Sequence, residues 1–186
     1  PIIATAPGDR HAVLWFIPAD MIEYTIEDEF ETTVDGYWSM FFSDAYNAAL
    51  WPHIDVDYER LEFREEDGGD VIHRRQRLTP KREVPRALKR IVDGAISYEE
   101  TNLWRRADSS MSVVTVPNFL SSKLDARGTY AIEPAGEGRV VRVWKGRISC
   151  SVPMLGGTVE KSVVDQVKET YRRTTAFTRQ WLAENR

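Results

Sequence analysis

The chain has 186 residues, enough for one domain with a real core, and its 42% apolar and 29% charged residues are those of an ordinary soluble globular protein. A formal net charge of −4 argues against general nucleic-acid binding, which rests on a basic surface. The single cysteine, Cys150, excludes an intramolecular disulfide and suits a reducing, cytoplasmic setting.

No apolar run approaches the roughly 18 residues of a membrane span. Residues 1–20 hold a short apolar patch, Ala12 to Ala19, with no basic segment of the usual kind before it and no clear small-residue cleavage site after it. They read as an N-terminal extension rather than a signal peptide, either a pendant arm or, since two bulky aromatics are costly to leave in water, a segment whose Trp15 and Phe16 pack on the domain that occupies 21–186.

Within that domain, Ile22, Tyr24, Ile26 and Phe30 alternate with Glu23, Thr25, Glu27, Glu29 and Glu31. The period of two predicts a half-buried strand with an acidic outer face. One helix is expected through 36–50, capped by Thr33 or Asp35 and stopped by Pro52. Residues 56–67 and 70–80 read as strands of a hairpin turning at Gly68-Gly69. Val84, Leu88, Ile91 and Val92 predict a short amphipathic helix starting near Pro85. Two further strands cover 95–106 and 110–120, with Pro117 ending or kinking the second because it cannot donate to a ladder.

The clearest strands come last. Leu124, Ala126, Gly128, Tyr130 and Ile132 share one face, and Val140, Arg142, Trp144, Gly146, Ile148 and Cys150 share the next. Closing the hairpin about residues 135–138 would set Trp144 opposite Gly128 and Arg142 opposite Tyr130. Pro153 and Gly156-Gly157 then turn the chain into a long helix. Its stripe runs Val152, Leu155, Val159, Val163, Val167, Tyr171, Thr174, Phe177 and Trp181, at steps of three or four. No Pro or Gly interrupts it after Thr158, so it would extend for about 40 Å. The expected class is α+β, a curved antiparallel sheet of about six or seven strands wrapped round the C-terminal helix.

This order, with SVPMLGGTVEK leading into a helix that ends in RQWLAEN, resembles the START-like, or SRPBCC, helix-grip superfamily over about residues 21–184. Pro153, Gly156, Gly157, Glu160, Trp181 and Leu182 match the corner and helix end of an uncharacterised bacterial START-like family. VPRALKRIVDGAISYEETNLW and VPNFLSSKLDARGTYAI are also similar to PRELI-like phosphatidic-acid transfer proteins. The resemblance implies a cavity between sheet and long helix that holds an apolar or amphipathic, lipid-like molecule. The residues expected to line it are Tyr24, Tyr98, Tyr130, Arg142, Trp144, Val163 and Tyr171.

His11, His53 and His73 have no partners at metal or triad spacing, and no nucleophile elbow, phosphate loop or paired-cysteine motif is present. No metal, cofactor or catalytic set is therefore expected. Cys150, on the core face of its strand, reads as a small buried hydrophobe. Arg142 leaves alternatives open: an anchor for an acidic headgroup, an ion pair with an inward carboxylate such as Asp28, or a bulged strand that turns it to water. From Arg74 to Arg90 basic residues dominate, which suits either a solvated face or transient contact with an anionic membrane. No aromatic side chains are interleaved there to stack nucleic-acid bases. Two competing functions remain. One is a cyclase/dehydrase-type enzyme using Asp28, Arg142 and Tyr130 in the same cavity on a polyketide-like substrate; the other is a filled, cavity-free regulatory or interaction module.

Overall fold

Apolar–polar alternation builds the sheet in the computed structural model, which describes residues 21–84, 86, 88, 89, 92 and 94–185. The strands are β1 (Ile22–Phe30), β2 (Val56–Glu66), β3 (Val71–Pro80), β4 (Tyr98–Arg105), β5 (Ser110–Pro117), β6 (Leu124–Pro134) and β7 (Val140–Cys150). They form one antiparallel sheet in the order β1-β7-β6-β5-β4-β3-β2. The first strand thus sits beside the last, and α1 (Val34–Phe42) and α2 (Asp44–His53) carry the chain between the two sheet edges. The long helix α3 (Gly156–Glu184) follows β7 and packs on the same face. This is the helix-grip α+β architecture, and seven strands complete it. The N-terminal extension of residues 1–20 lies outside the described residues, as do Pro85, Ile91 and other parts of the amphipathic segment near residue 85.

The expected single helix after β1 is two. Thr33 caps α1 by accepting from the Gly36 amide at 3.1 Å. Ser43 is extended (φ −69°, ψ 141°) and its hydroxyl accepts from the Tyr46 amide at 3.2 Å, so one residue ends α1 and caps α2. Asn47 holds the junction by donating to the carbonyls of Phe41 and Ser43 at 2.9 and 2.8 Å. Pro52 lies inside the last turn of α2 rather than beyond it. The break swings Tyr37, Trp38 and Met40 of one helix and Tyr46 and Leu50 of the other onto a shared core.

The β6–β7 register also differs from expectation. Tyr130 pairs with Trp144, Gly128 with Gly146 and Ile132 with Arg142, two residues from the predicted alignment. The turn closes through an Ala135 amide to Arg139 carbonyl bond, with Gly136 and Gly138 both at positive φ, and so centres on Glu137. An even shift keeps every side chain on its predicted face. The indole of Trp144 still overlies small residues: a methyl group on Gly128 or Gly146 would stand 2.6 Å from its ring.

At the entry to α3, two contacts with Cys150 set the angle of the helix. Gly156 lies so close to β7 that an added Cβ would be 2.3 Å from the Cys150 carbonyl oxygen. One turn on, the buried carboxylate of Glu160 accepts from the Cys150 amide at 2.6 Å. Gly157 has open space around it. Gly156→Ala is therefore expected to cost about 1–3 kcal/mol in urea unfolding, because the obstacle is backbone rather than a flexible side chain. Gly157→Ala, one residue on, should be neutral or stabilising by up to about 1 kcal/mol.

Candidate functional site

The fully buried residues of α3 fall at its ends: Gly156, Val159, Glu160 and Val164 at one, Thr175 and Thr178 at the other. Between them the helix is only half-buried, although Tyr171 still packs on Trp144 of β7, ring centres 5.7 Å apart. Val163, Val167 and Tyr171 face a cavity of about 250 Å³ whose other walls come from α2 and from β3 to β7. That volume corresponds to roughly eight water molecules. The lining is mainly apolar and aromatic, with Phe41, Leu50, Trp51, Leu88, Met111 and Phe119 among its members. Its lining includes exposed Glu83, just after β3, and exposed Gln166 in the middle of α3.

Of the seven residues singled out above, Tyr98, Tyr130, Arg142, Trp144, Val163 and Tyr171 line this cavity. Tyr24 does not: its ring packs over Gly146, behind Trp144. Other aromatics made available by the sequence pack solidly instead. Trp38 sits 5.6 Å from Trp104 and 5.8 Å from Phe42, ring centre to ring centre, in the core beside the cavity.

Arg142 is 2% exposed and pairs with Asp28, directly across the β1–β7 ladder. The same nitrogen donates to the Thr175 hydroxyl of α3. The guanidinium lies 4.7 Å from the Tyr171 ring centre and 5.1 Å from that of Phe30. Burial opposes its charge, but Tyr130, Tyr37, Tyr171 and Asp28 outweigh this and hold its pKa well above the usual value. Nearby, the hydroxyls of Tyr37 and Tyr130 share a hydrogen bond. Burial pushes the phenols of Tyr130 and Tyr171 well above their ordinary pKa, so both stay protonated at neutral pH.

A polar chain on β3 and β4 escaped the sequence reading. Arg74, within the stretch read as a basic surface, is only 3% exposed and lies against the rings of Phe41 and Phe42, at 4.6 and 5.3 Å. Its Nε donates to Asn102 at 2.9 Å, and Asn102 and Gln76 both donate to Glu100, at 2.9 and 3.0 Å. The signal was available in the period of two, since Ile72, Arg74, Gln76 and Leu78 share one face of β3. Outward-facing Arg77 pairs with Glu59 and Glu99, Lys81 with Asp57, and Lys89 with Glu83, so acids interleave the remaining basic stretch.

His53 packs on Phe177 at 4.8 Å, and His73 faces Glu66. No group of three or more potential metal ligands occurs among the described residues. Nor is any of their helices long and apolar enough to cross a membrane.

A family model described as "Protein of unknown function (DUF2505)" matches residues 25–182. The chain belongs to the DUF2505 family. No curated protein matches this DUF2505 chain in sequence. Solved structures match its fold. A START superfamily protein from Mycobacterium smegmatis is 14% identical with a TM-score of 0.55, over 87% of this chain and 98% of that one. Norcoclaurine synthase from Thalictrum flavum, solved with dopamine and hydroxybenzaldehyde, is 13% identical with a TM-score of 0.60, over 100% and 98%. The Zhui aromatase/cyclase from Streptomyces sp. R1128 is 11% identical with a TM-score of 0.54, over 84% and 87%. DUF2505 thus has the START-like fold that its strand order and helix corner resemble.

Because Asp28 is the counter-charge of Arg142, Arg142→Leu should destabilise the protein by about 3–5 kcal/mol. Asp28→Asn combined with Arg142→Leu should recover most of that loss. Equilibrium urea unfolding of the two single variants and the double variant measures the coupling.

Proposed function

We propose that this protein binds or carries a small apolar or amphipathic molecule in the cavity beneath α3. The observation carrying this reading is the cavity itself, a largely apolar space of about 250 Å³ left between the sheet and the half-buried middle of α3. A filled interaction module would have no reason to leave such a space beside Val163, Val167 and Tyr171. Tyr98, Tyr130, Trp144, Val163 and Tyr171 supply the apolar contact. Arg142 borders the ligand through its aromatic neighbours.

Binding is favoured over the cyclase/dehydrase alternative because the candidate acid–base groups are engaged. Asp28 is held by Arg142, and the Tyr130 hydroxyl is bonded to that of Tyr37. Norcoclaurine synthase, which shares the fold, was solved holding dopamine and hydroxybenzaldehyde, which supports a small-molecule site in a fold of this kind. A cytoplasmic carrier also suits a chain whose single cysteine is buried and free.

Native mass spectrometry of the purified protein, followed by solvent extraction, should detect a co-purified small molecule. Failing that, titration with a panel of fatty acids, alcohols and aromatic acids should show saturable binding. Val163→Trp, which fills the cavity from the helix side, should abolish binding while leaving the far-UV circular dichroism unchanged. Absence of any ligand and of binding across the panel would overturn the proposal.

A further inference from the structure

The two buried arginines of the cavity differ in one respect that bears on the ligand. Arg142 has a carboxylate, Asp28, and a hydroxyl, Thr175, as partners. Arg74 has one hydrogen bond, from Nε to the neutral amide of Asn102. Its two terminal nitrogens have no hydrogen-bond or ion-pair partner among the described residues, and the side chain lines the cavity. Glu100, which also lines the cavity, accepts from Gln76 and Asn102 rather than from Arg74. Burial draws the pKa of Arg74 below the usual guanidinium value, an effect only partly offset by Glu100, Tyr58 and Tyr130. Arg142, by contrast, is held above it.

A buried cation without an ion-pair partner is strongly unfavourable unless something completes it. Arg74 is also pre-oriented, since Phe41 and Phe42 hold its plane while Asn102 fixes Nε. That leaves the outer edge of the guanidinium, with its parallel N–H groups, to the cavity. We infer that the ligand is a monocarboxylic acid with a compact apolar body, whose carboxylate is received by Arg74 while the body lies against Tyr98, Trp144, Val163 and Tyr171. This rests on the cavity being a ligand site and names the chemistry of what fills it. It also moves the headgroup from Arg142, whose charge is already matched, to the opposite wall on β3. The volume of about 250 Å³ suits a medium-chain fatty acid or a small aryl-alkyl acid rather than a two-chain lipid.

The test compares acids with alcohols of the same skeleton: octanoate with octanol and phenylpropionate with phenylpropanol, each titrated against the full chain by calorimetry. The wild-type protein should bind the acids roughly ten- to a hundredfold more tightly, the range expected of a charge-assisted bond. Arg74→Met should bring the acids down to the affinity of the alcohols and leave the alcohols unchanged. Equal affinity of acid and alcohol for the wild-type chain, or an acid preference that survives Arg74→Met, overturns the carboxylate assignment but leaves the cavity a binding site. If neither acids nor alcohols bind, both the assignment and the binding reading fall. If Arg74→Met does not fold, by circular dichroism, the wild-type acid-to-alcohol ratio decides alone: a preference supports the inference and its absence overturns it.

Discussion

The contact joining Arg142, Asp28 and Thr175 is the constraint on which the rest of the structure depends. It links three elements that sequence keeps far apart: β1 at the start of the domain, β7 near its end, and the second half of α3. A charge this deeply buried tolerates little misalignment, because a lost partner leaves an unsolvated ion behind. The pair therefore fixes which residue of the edge strand faces which residue of β7. Through Thr175 it also fixes how far along the sheet the helix lies. Tyr46 adds a second tie by hydrogen bonding to Thr178 at 2.6 Å, so α2 joins the same end.

Closure at that end permits openness elsewhere. With α3 secured at the Cys150–Glu160 corner and again at Thr175 and Thr178, its middle need not touch the sheet for the helix to be stable. The aromatic cluster of Trp38, Phe42 and Trp104 fills one side of the concave face. A second cluster, built on Leu88, Leu124, Ile148 and Val159, fills the other. The cavity lies between two well-packed cores, which is how an enclosed space can persist in a domain that otherwise packs closely.

Much of this was legible in the chain. Alternation in 22–30, 124–132 and 140–150 assigned faces correctly, and the stripe on α3 named Val163, Val167, Tyr171 and Thr174 of the cavity wall, although its Leu155 is exposed and buried Glu160, Val164, Thr175 and Thr178 lie off it. Where the reading failed, the failures have physical causes. The β6–β7 register came out two residues away because a hydrophobic pattern of period two is blind to an even shift; only the turn at 135–139 breaks the tie. The helix break at Ser43 was hidden because its apolar neighbours keep helical spacing across it, while the cap depends on one hydroxyl–amide bond. Arg74 was grouped with its basic neighbours along the chain, when the pleat sends it to the opposite side of the sheet from Arg75 and Arg77. Asp28, weighed only as one possible partner of Arg142, became definite through the β1–β7 pairing, which no local pattern reveals.

The mechanics of α3 carry one more consequence. A helix pinned at both ends behaves as a beam on two supports, and a beam so held cannot swing aside as a door does. The looser side of the cavity is then the one beside the middle of the helix. Beside that span, Arg82 reaches across to Thr170 of the helix at 2.9 Å and Glu83 stands in solvent. A latch of one hydrogen bond is cheap to open compared with a buried ion pair. The side of the cavity near Arg82 is thus held more lightly than its end at Arg142, and the shape of the chamber is governed by the beam above it.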